Sequence, residues 1–500
     1  MDPFLAVLVA SSVLVFMLVV GFPVAISLIA SGLFGIFLLG TTVTPDIVVQ
    51  TIPFSATAKY SWTVVPMFIF MGAFATASGL ISSLFRIANR AFRRVPGGVG
   101  LAVLSACAGF SAVSGSSVAT AATIGPIAGE EMRKARYRGS FSAGLVASAG
   151  TLGILIPPSI ILVIYGIATG ESIGLLLLAA IVPGILSALT IGATVVLLRV
   201  LRPQAVIVDG AVAASLQEAR TESEAWVVDA DPDRSGTFPG PDGVTATAGT
   251  PTGIAANDAE VGMTSPDHMP EVAEVRHSGM GAMLRLMVIF GCVMGGIYSG
   301  FVTVTESAAL GAFAALVVAT LDTWPRGWRS TLSMIRTACL QTASTTGMLF
   351  LIVVGSSIFS LFIVLAGIPE VAAEWVLSFD LPPLAVVGII LLAMIPLGMF
   401  LDPLAIVLIV VPIAHPIVVT ELGFSGIWFA ILVVKVIEIA LVTPPVGLNI
   451  FVVAGVMKGF VTTAEAFRGV AWFVLADVLL ILVLFFFPGL VTAWLPMSLG

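Results

Sequence analysis

Ser111-Ala112-Val113-Ser114-Gly115-Ser116-Ser117 lies in the middle of a mostly apolar stretch, 99–131, whose two ends are both basic. Arg86, Arg90, Arg93 and Arg94 precede it, and Arg133, Lys134, Arg136 and Arg138 follow it. Basic residues beside apolar segments mark the cytoplasmic side of a membrane. Both ends of this stretch therefore read as cytoplasmic, and the chain has to enter and leave by one face. The small, polar middle is a poor helix centre and a good sharp turn. The stretch reads as a re-entrant helical hairpin with a polar tip at membrane depth. Irregular backbone is tolerated at that depth only inside protein or beside a water-filled cavity.

The remainder of the chain agrees with a membrane setting. Of its 500 residues, 58% are hydrophobic and 10% charged, against about 25% charged in soluble globular chains. That balance excludes a soluble enzyme, a nucleic-acid binder and a disordered regulator. Apolar runs near the ~20 residues needed to cross a bilayer recur from end to end, so the fold class is an all-α polytopic membrane protein. The formal charge of −7 has to be divided. Residues 203–280 carry 13 acidic and three basic side chains, and the rest of the chain carries 15 acidic and 18 basic. An acidic insert rich in Pro, Gly and Thr thus interrupts a weakly basic body, and its composition predicts disorder. Met1-Asp2-Pro3-Phe4 lacks the basic start of a signal peptide, so residues 4–20 read as a first span. Cys107, Cys292 and Cys339 lie in apolar stretches at spacings that suit neither zinc nor disulfides, and read as small core residues.

The second half repeats the hairpin with the opposite sign. Residues 382–417 are apolar, with a break at Gly398-Met399-Phe400-Leu401-Asp402-Pro403. Their flanks are Glu370, Glu374 and Asp380 before and Glu421 after, with no Lys or Arg. Both ends read as outward-facing. One hairpin opening inward and one outward marks an inverted-topology repeat. A span broken at a proline pair follows each hairpin: Gly153-Ile154-Leu155-Ile156-Pro157-Pro158-Ser159, and Ala440-Leu441-Val442-Thr443-Pro444-Pro445-Val446. The interval from Pro126 to Pro157 matches that from Pro412 to Pro444 to within one residue. Spans at about 4–20, 23–40, 64–85, 141–168 (broken) and 174–198 run from outside to inside. Spans at about 284–301, 305–321, 344–366, 425–457 (broken) and 470–487 return the chain outside. Segments 44–60 and 326–342 are too polar to span and read as lying along the interface. The organisation is a first repeat at 1–202, a cytoplasmic insert at 203–280 and a second repeat at 281–500, with about ten transmembrane helices, two re-entrant hairpins and two broken helices.

A broken membrane helix frees backbone groups that ordinary helix geometry would pair. Its N-terminal half-dipole favours anions and its free carbonyls favour cations. Proline lacks an N–H and clashes with the preceding turn, so Pro157-Pro158 and Pro444-Pro445 create such breaks, each paired in its own half with a hairpin tip. Ser114, Ser116, Ser117, Thr443 and Asn449 add neutral oxygens. Carbonyl and hydroxyl oxygens suit a small hard cation such as Na⁺, and nothing suggests a soft metal. Ser114, Ser116, Ser117 and Gly153 group as one Na⁺ site with the first break; Gly398, Thr443, Pro444 and Gly447 group as another. Ser116, Ser117, Pro158, Asp402 and Asn449 are the candidates for the substrate end. Asp402 stands at membrane depth, where a charge is costly. It can help bind Na⁺, take a proton or cap its hairpin helix, and the pattern does not choose among these. Lys435 and Glu438, three apart in one span, read as a structural pair. Glu306 reads as an N-terminal helix residue and His415 as packing. There is no Walker lysine motif, no HExxH and no GxSxG, which leaves an enzyme without support. No ring of charged pore residues points to a channel.

At these motifs the chain resembles a known family. Ser114-Gly115-Ser116-Ser117-Val118-Ala119-Thr120, the run from Gly153 to Ser159 with Tyr165-Gly166, the run from Gly398 to Pro403, and Thr443-Pro444-Pro445-Val446-Gly447-Leu448-Asn449 look like the large membrane subunit of tripartite ATP-independent periplasmic (TRAP) transporters. The resemblance covers about 1–202 and 281–500. It implies an elevator-type member of the ion-transporter superfamily in a bacterial inner membrane, performing Na⁺-coupled uptake of organic acids, usually carboxylates such as C4-dicarboxylates or sugar acids. It also implies a periplasmic substrate-binding protein and a small four-helix membrane subunit, which would be a separate chain because the first span begins at residue 4. Three departures stand out: the insert at 203–280, Glu130-Glu131-Met132 with Arg136 where Pro-Glu-Met and Gly are usual, and Ala440 where Gly is common before the second proline pair. Two other readings stay open. One is a stand-alone divalent-anion/Na⁺ symporter of similar hairpin architecture. The other is a membrane scaffold or receptor with a transporter-like body and the insert as its signalling arm.

Overall fold

The computed structural model describes residues 2–78, 80–208, 279–371, 374, 381–399 and 401–495. The acidic insert beyond residue 208, as far as 278, lies outside the described residues. Met1–Val206 and Ala273–Gly500 form one compact unit.

The regular elements among the described residues are helices. The first half runs α1 (Pro3–Val20), α2 (Val24–Leu39), the short α3 (Pro45–Thr57), α4 (Val64–Ala77), α5 (Leu80–Phe92), α6 (Gly98–Ser114), α7 (Ser117–Lys134), α8 (Gly139–Leu155), α9 (Ile160–Thr169), α10 (Ile173–Ala179) and α11 (Ile181–Leu201). The second runs α12 (Gly279–Ser299), α13 (Val304–Thr323), α14 (Trp328–Leu365), α15 (Pro383–Gly398), α16 (Pro403–Pro416) with a π-helical extension Ile417–Glu421, α17 (Gly426–Ala440), α18 (Leu448–Val456) and α19 (Thr463–Phe486). Local chemistry sets many of these ends. Asp2 caps α1 by accepting from Phe4 N at 3.0 Å, and Gly21 closes it in the left-handed conformation. Glu306 does stand in the first turn of α13, where Thr303 and Glu306 form a reciprocal capping box; Thr462 and Glu465 form the same box on α19.

Seven helical stretches among the described residues are long and apolar enough to cross a bilayer, or eight if the bent pair α8–α9 counts as one span. The spans read at 23–40 and 284–301 appear as α2 and, from Met283, α12, apolar but shorter than that standard. Two segments differ from the sequence reading. The span expected at 64–85 is two helices, because α4 ends at Ala77 and α5 restarts at Leu80. Ser78, whose hydroxyl donates to Ala75 O at 2.8 Å, closes α4. The segment expected at the interface, 326–342, instead runs from Trp328 straight into the following span as the 38-residue α14. No proline interrupts α14, and a lone glycine such as Gly347 or Gly355 costs only about 1 kcal/mol in a helix interior. At 1.5 Å per residue α14 is about 57 Å long, roughly twice the hydrocarbon core.

α8 and α17 lie at the centre. α8 is buried without interruption from Phe141 to Leu155, and α17 from Trp428 to Ala440. Helices that are apolar all round belong in such positions. The packing repeats between halves. α6 lies on α8, and α15 lies on α17; α7 lies along α18, and α16 lies along α9. Each hairpin thus lies on its own broken span and extends one arm, α7 or α16, to the far part of the opposite half's broken span; in the first hairpin α7 also lies along α8. Small residues permit the close approach. A Cβ added to Gly150 would stand 3.1 Å from the Ala121 methyl, and one on Gly125 would stand 2.6 Å from Val456 Cγ2. A separate cluster joins α1, α2 and α14 through Leu28, Ile36, Phe359 and Phe362, with Gly35 flat against the Phe362 ring.

Candidate functional site

The first hairpin tip sits on the first break. α6 ends at Gly115 in the left-handed conformation (φ +60), and Ser116 caps α7 by accepting from Ala119 N at 3.4 Å. A Cβ on Gly115 would lie 2.5 Å from Pro158 O; a Cβ on Gly153 would lie 2.6 Å from Ser116 O and 3.0 Å from Ser117 N. The structure therefore brings Ser116, Ser117, Gly153 and Pro158 together. Thr120 is the hub of the tip. Its hydroxyl donates to Ser116 O at 2.7 Å and lies 3.0 Å from Ser114 Oγ and 3.5 Å from Ser111 Oγ. A hydroxyl that gives its proton to a carbonyl turns its lone pairs outward, towards a donor or a cation. Across the break, Ser159 Oγ donates to Ile154 O at 2.5 Å and accepts from Leu162 N at 3.3 Å, so it closes one helix and caps the next.

The corresponding residues of the second half make different contacts. Gly398, at the end of α15, packs on α17, where an added Cβ would stand 2.5 Å from the Ala440 methyl. Ala440 thus fills the contact from its own side. Thr443 Oγ1 donates to Ile439 O at 2.5 Å. Gly447 caps α18 at φ +56, and Asn449 N donates to Leu441 O at 3.2 Å across the break. Both proline pairs, Pro157-Pro158 and Pro444-Pro445, hold cis peptide bonds. Of its three candidate roles, Asp402 plainly plays the capping one: it is the N-cap of α16 and accepts from Ala405 N at 3.2 Å.

Asn449 links the halves. Its Nδ2 reaches Ala147 O on α8 at 3.5 Å, while its Oδ1 is buried with no partner. Ser148, next to Ala147, also has a buried Oγ with no partner. A buried amide oxygen without a partner, such as Asn449 Oδ1, is what a cation or a substrate N–H or O–H would use. Sequence reading missed Ser148 and the central place of Thr120, since a lone Ser or Thr in an apolar helix carries no periodic signal. Four helices, α7, α9, α16 and α18, begin at the tips and breaks, and their first-turn N–H groups favour an anion there.

Other readings change in the structure. His415 is not packing alone: its Nε2 lies 3.2 Å from Glu171 Oε1, and its ring stands edge-on to Tyr165 at 6.0 Å. The partners are 244 residues apart, beyond the reach of any local pattern. Lys435 and Glu438 do pair, at 2.5 Å, and Lys435 also reaches Asp477 Oδ1 at 2.6 Å. Cys107 is buried, but Cys339 is exposed on α14. Arg136 takes a left-handed conformation at φ +58.

Comparison with known proteins agrees with this architecture. The chain matches the family model of the tripartite ATP-independent periplasmic transporter, DctM component, over residues 11–490. It is 34% identical over 452 residues to the C4-dicarboxylate TRAP transporter large permease protein DctM of Pseudomonas aeruginosa, covering 89% of each chain. It is 29% identical to the protein of the same name from Rhodobacter capsulatus, covering 99% of this chain and 100% of that one. Among solved structures, the YdaH transporter of Alcanivorax borkumensis shares the fold, with a TM-score of 0.60 at 12% identity and 95% and 98% of the two chains covered. The apolar helices and these relatives make the chain a multi-pass protein of the bacterial inner membrane, and its family is a transporter permease rather than an enzyme. The chain belongs to the DctM family, the large permease component of tripartite ATP-independent periplasmic transporters.

Proposed function

We propose that this large permease imports organic acids, carboxylates of the C4-dicarboxylate or sugar-acid class, by symport with Na⁺. A periplasmic binding protein delivers the substrate, and a small four-helix membrane subunit completes the complex. Both hairpins are re-entrant, the first opening to the cytoplasm and the second to the periplasm. The hairpins and broken spans carry the substrate by an elevator movement against the remaining helices. Na⁺ is cargo, held at the first tip by oxygens of Ser114, Ser116, Ser117 and Gly153, and at the second by Gly398, Thr443, Pro444 and Gly447. Ser116, Ser117, Pro158 and Asn449 face the acid, and Asp402 organises the start of α16 beside it. The observation that carries this reading is the seating of the Gly115-Ser116 tip on the Gly153 and Pro158 backbone. That contact gathers neutral oxygens and helix N-termini with no basic side chain among them. The C4-dicarboxylate names of two relatives support the substrate class.

The test is uptake of a radiolabelled C4-dicarboxylate into proteoliposomes holding this chain and its small subunit, with binding protein outside. Uptake that requires an inward Na⁺ gradient and the binding protein supports the proposal. Uptake indifferent to Na⁺ ends the coupling claim, and uptake without binding protein favours a stand-alone symporter.

A further inference from the structure

Three ionisable side chains lie sealed behind the second break. Lys435 and Glu438 are on α17, and Asp477 is on α19; Lys435 is 0% exposed, Glu438 1% and Asp477 8%. Lys435 Nζ donates to Glu438 Oε2 at 2.5 Å, to Asp477 Oδ1 at 2.6 Å and to Ser187 Oγ of α11 at 3.1 Å. An ammonium has three donors and no acceptor, so these contacts exhaust it. The charges do not close, because two ionised carboxylates would face one ammonium. The hydrogen bonds do not close either, because Glu438 Oε1 is buried without a partner. A bare carboxylate oxygen in such a place is strongly disfavoured.

One H⁺ settles the charge. A metal ion would need a shell of several oxygens, and Lys435 already engages one oxygen of each carboxyl and the Ser187 hydroxyl. Among the described residues, Lys435 and Asp477 are the charged groups that act on Glu438, and Glu438 and Asp477 those that act on Lys435. Glu171, His415 and Tyr165 meet α17 at its opposite end, around Gly426. We propose that Lys435, Glu438 and Asp477 form a binding site for one proton, carried on the Glu438 carboxyl, with Asp477 as counter-ion of Lys435. The site is separate from the cation and acid positions proposed above. It stands on the helix that ends at the second break, so its occupancy gives pH a hold on that break.

Infrared difference spectroscopy of the purified full-length protein in lipid nanodiscs tests this without any need for transport. At neutral pH the wild type should show the C=O stretch of a protonated, buried carboxyl that shifts in D₂O. E438Q, a neutral isostere, should lose that band while remaining monodisperse. If E438Q does not fold, D477N reads the same point: Glu438 then becomes the sole counter-ion of Lys435, ionises, and the band is lost. A wild-type spectrum without a protonated-carboxyl band overturns the proposal, as does a band that persists unchanged in E438Q or in D477N.

Discussion

Gly115→Ala separates close approach at the hairpin tip from simple backbone strain. Gly115 and Gly40 both hold left-handed backbone, at φ +60 and +63. Any L-residue pays roughly 1–2 kcal/mol for that conformation. At Gly40 an added Cβ meets nothing within 4 Å. At Gly115 it meets Pro158 O at 2.5 Å, and that atom belongs to the backbone of the break, not to a flexible side chain. An ordinary carbon–oxygen contact is about 3.4 Å, so the tip must retreat by about 0.9 Å. Overpacking of this kind adds about 1–3 kcal/mol, for a total near 2–5 kcal/mol. A misplacement of about 1 Å in a binding constellation lowers rates by about 10²-fold. G115A should therefore reconstitute with uptake reduced by about that factor, while G40A, with the same backbone term, stays within about twofold of wild type. Initial uptake rates at saturating Na⁺, together with thermal unfolding in detergent, make the comparison. G115A uptake within about threefold of wild type would refute the claim that tip and break form one site.

Further outcomes follow from single side chains. Arg136→Gly relieves a left-handed arginine and should raise the apparent melting temperature in detergent, by up to about 1 kcal/mol of stability; no change or a fall argues against strain there. Asn449→Ala removes one long hydrogen bond to Ala147 O, so stability should fall by only about 0.5–1 kcal/mol, while the KM for the acid in uptake should rise. An unaltered KM for the acid would take Asn449 out of the site. Lys435→Ala leaves Asp477 buried without its counter-ion and takes away the donor to Glu438, and should cost about 3–5 kcal/mol, read as early loss of monodispersity on heating; a variant as heat-stable as wild type would show that the cluster does not hold α17, α19 and α11 together.

The glycine in this first tip shows what a sequence can and cannot convey. Residues that act through short-range rules were legible in advance. The capping role of Glu306 and the helix breaks at the two proline pairs follow from chemistry within a few residues. The small polar runs between apolar arms could be recognised as turns for the same reason. The merging of 328–342 into α14 went unread, because polar residues by themselves do not end a helix that no proline interrupts.

Composition and apolar run length by themselves determined a polytopic helical protein, and the sign of flanking charges predicted two related halves. These are properties of solvation, which each segment satisfies on its own in lipid. Contacts between distant segments were decided only by the tertiary structure. Gly115 meets Pro158, Asn449 reaches Ala147, His415 finds Glu171, and Lys435 gathers Asp477 and Ser187. Each of these depends on which helices pack together, and a local pattern holds no record of a partner 42 residues away, as Asp477 is from Lys435, or 302 away, as Ala147 is from Asn449.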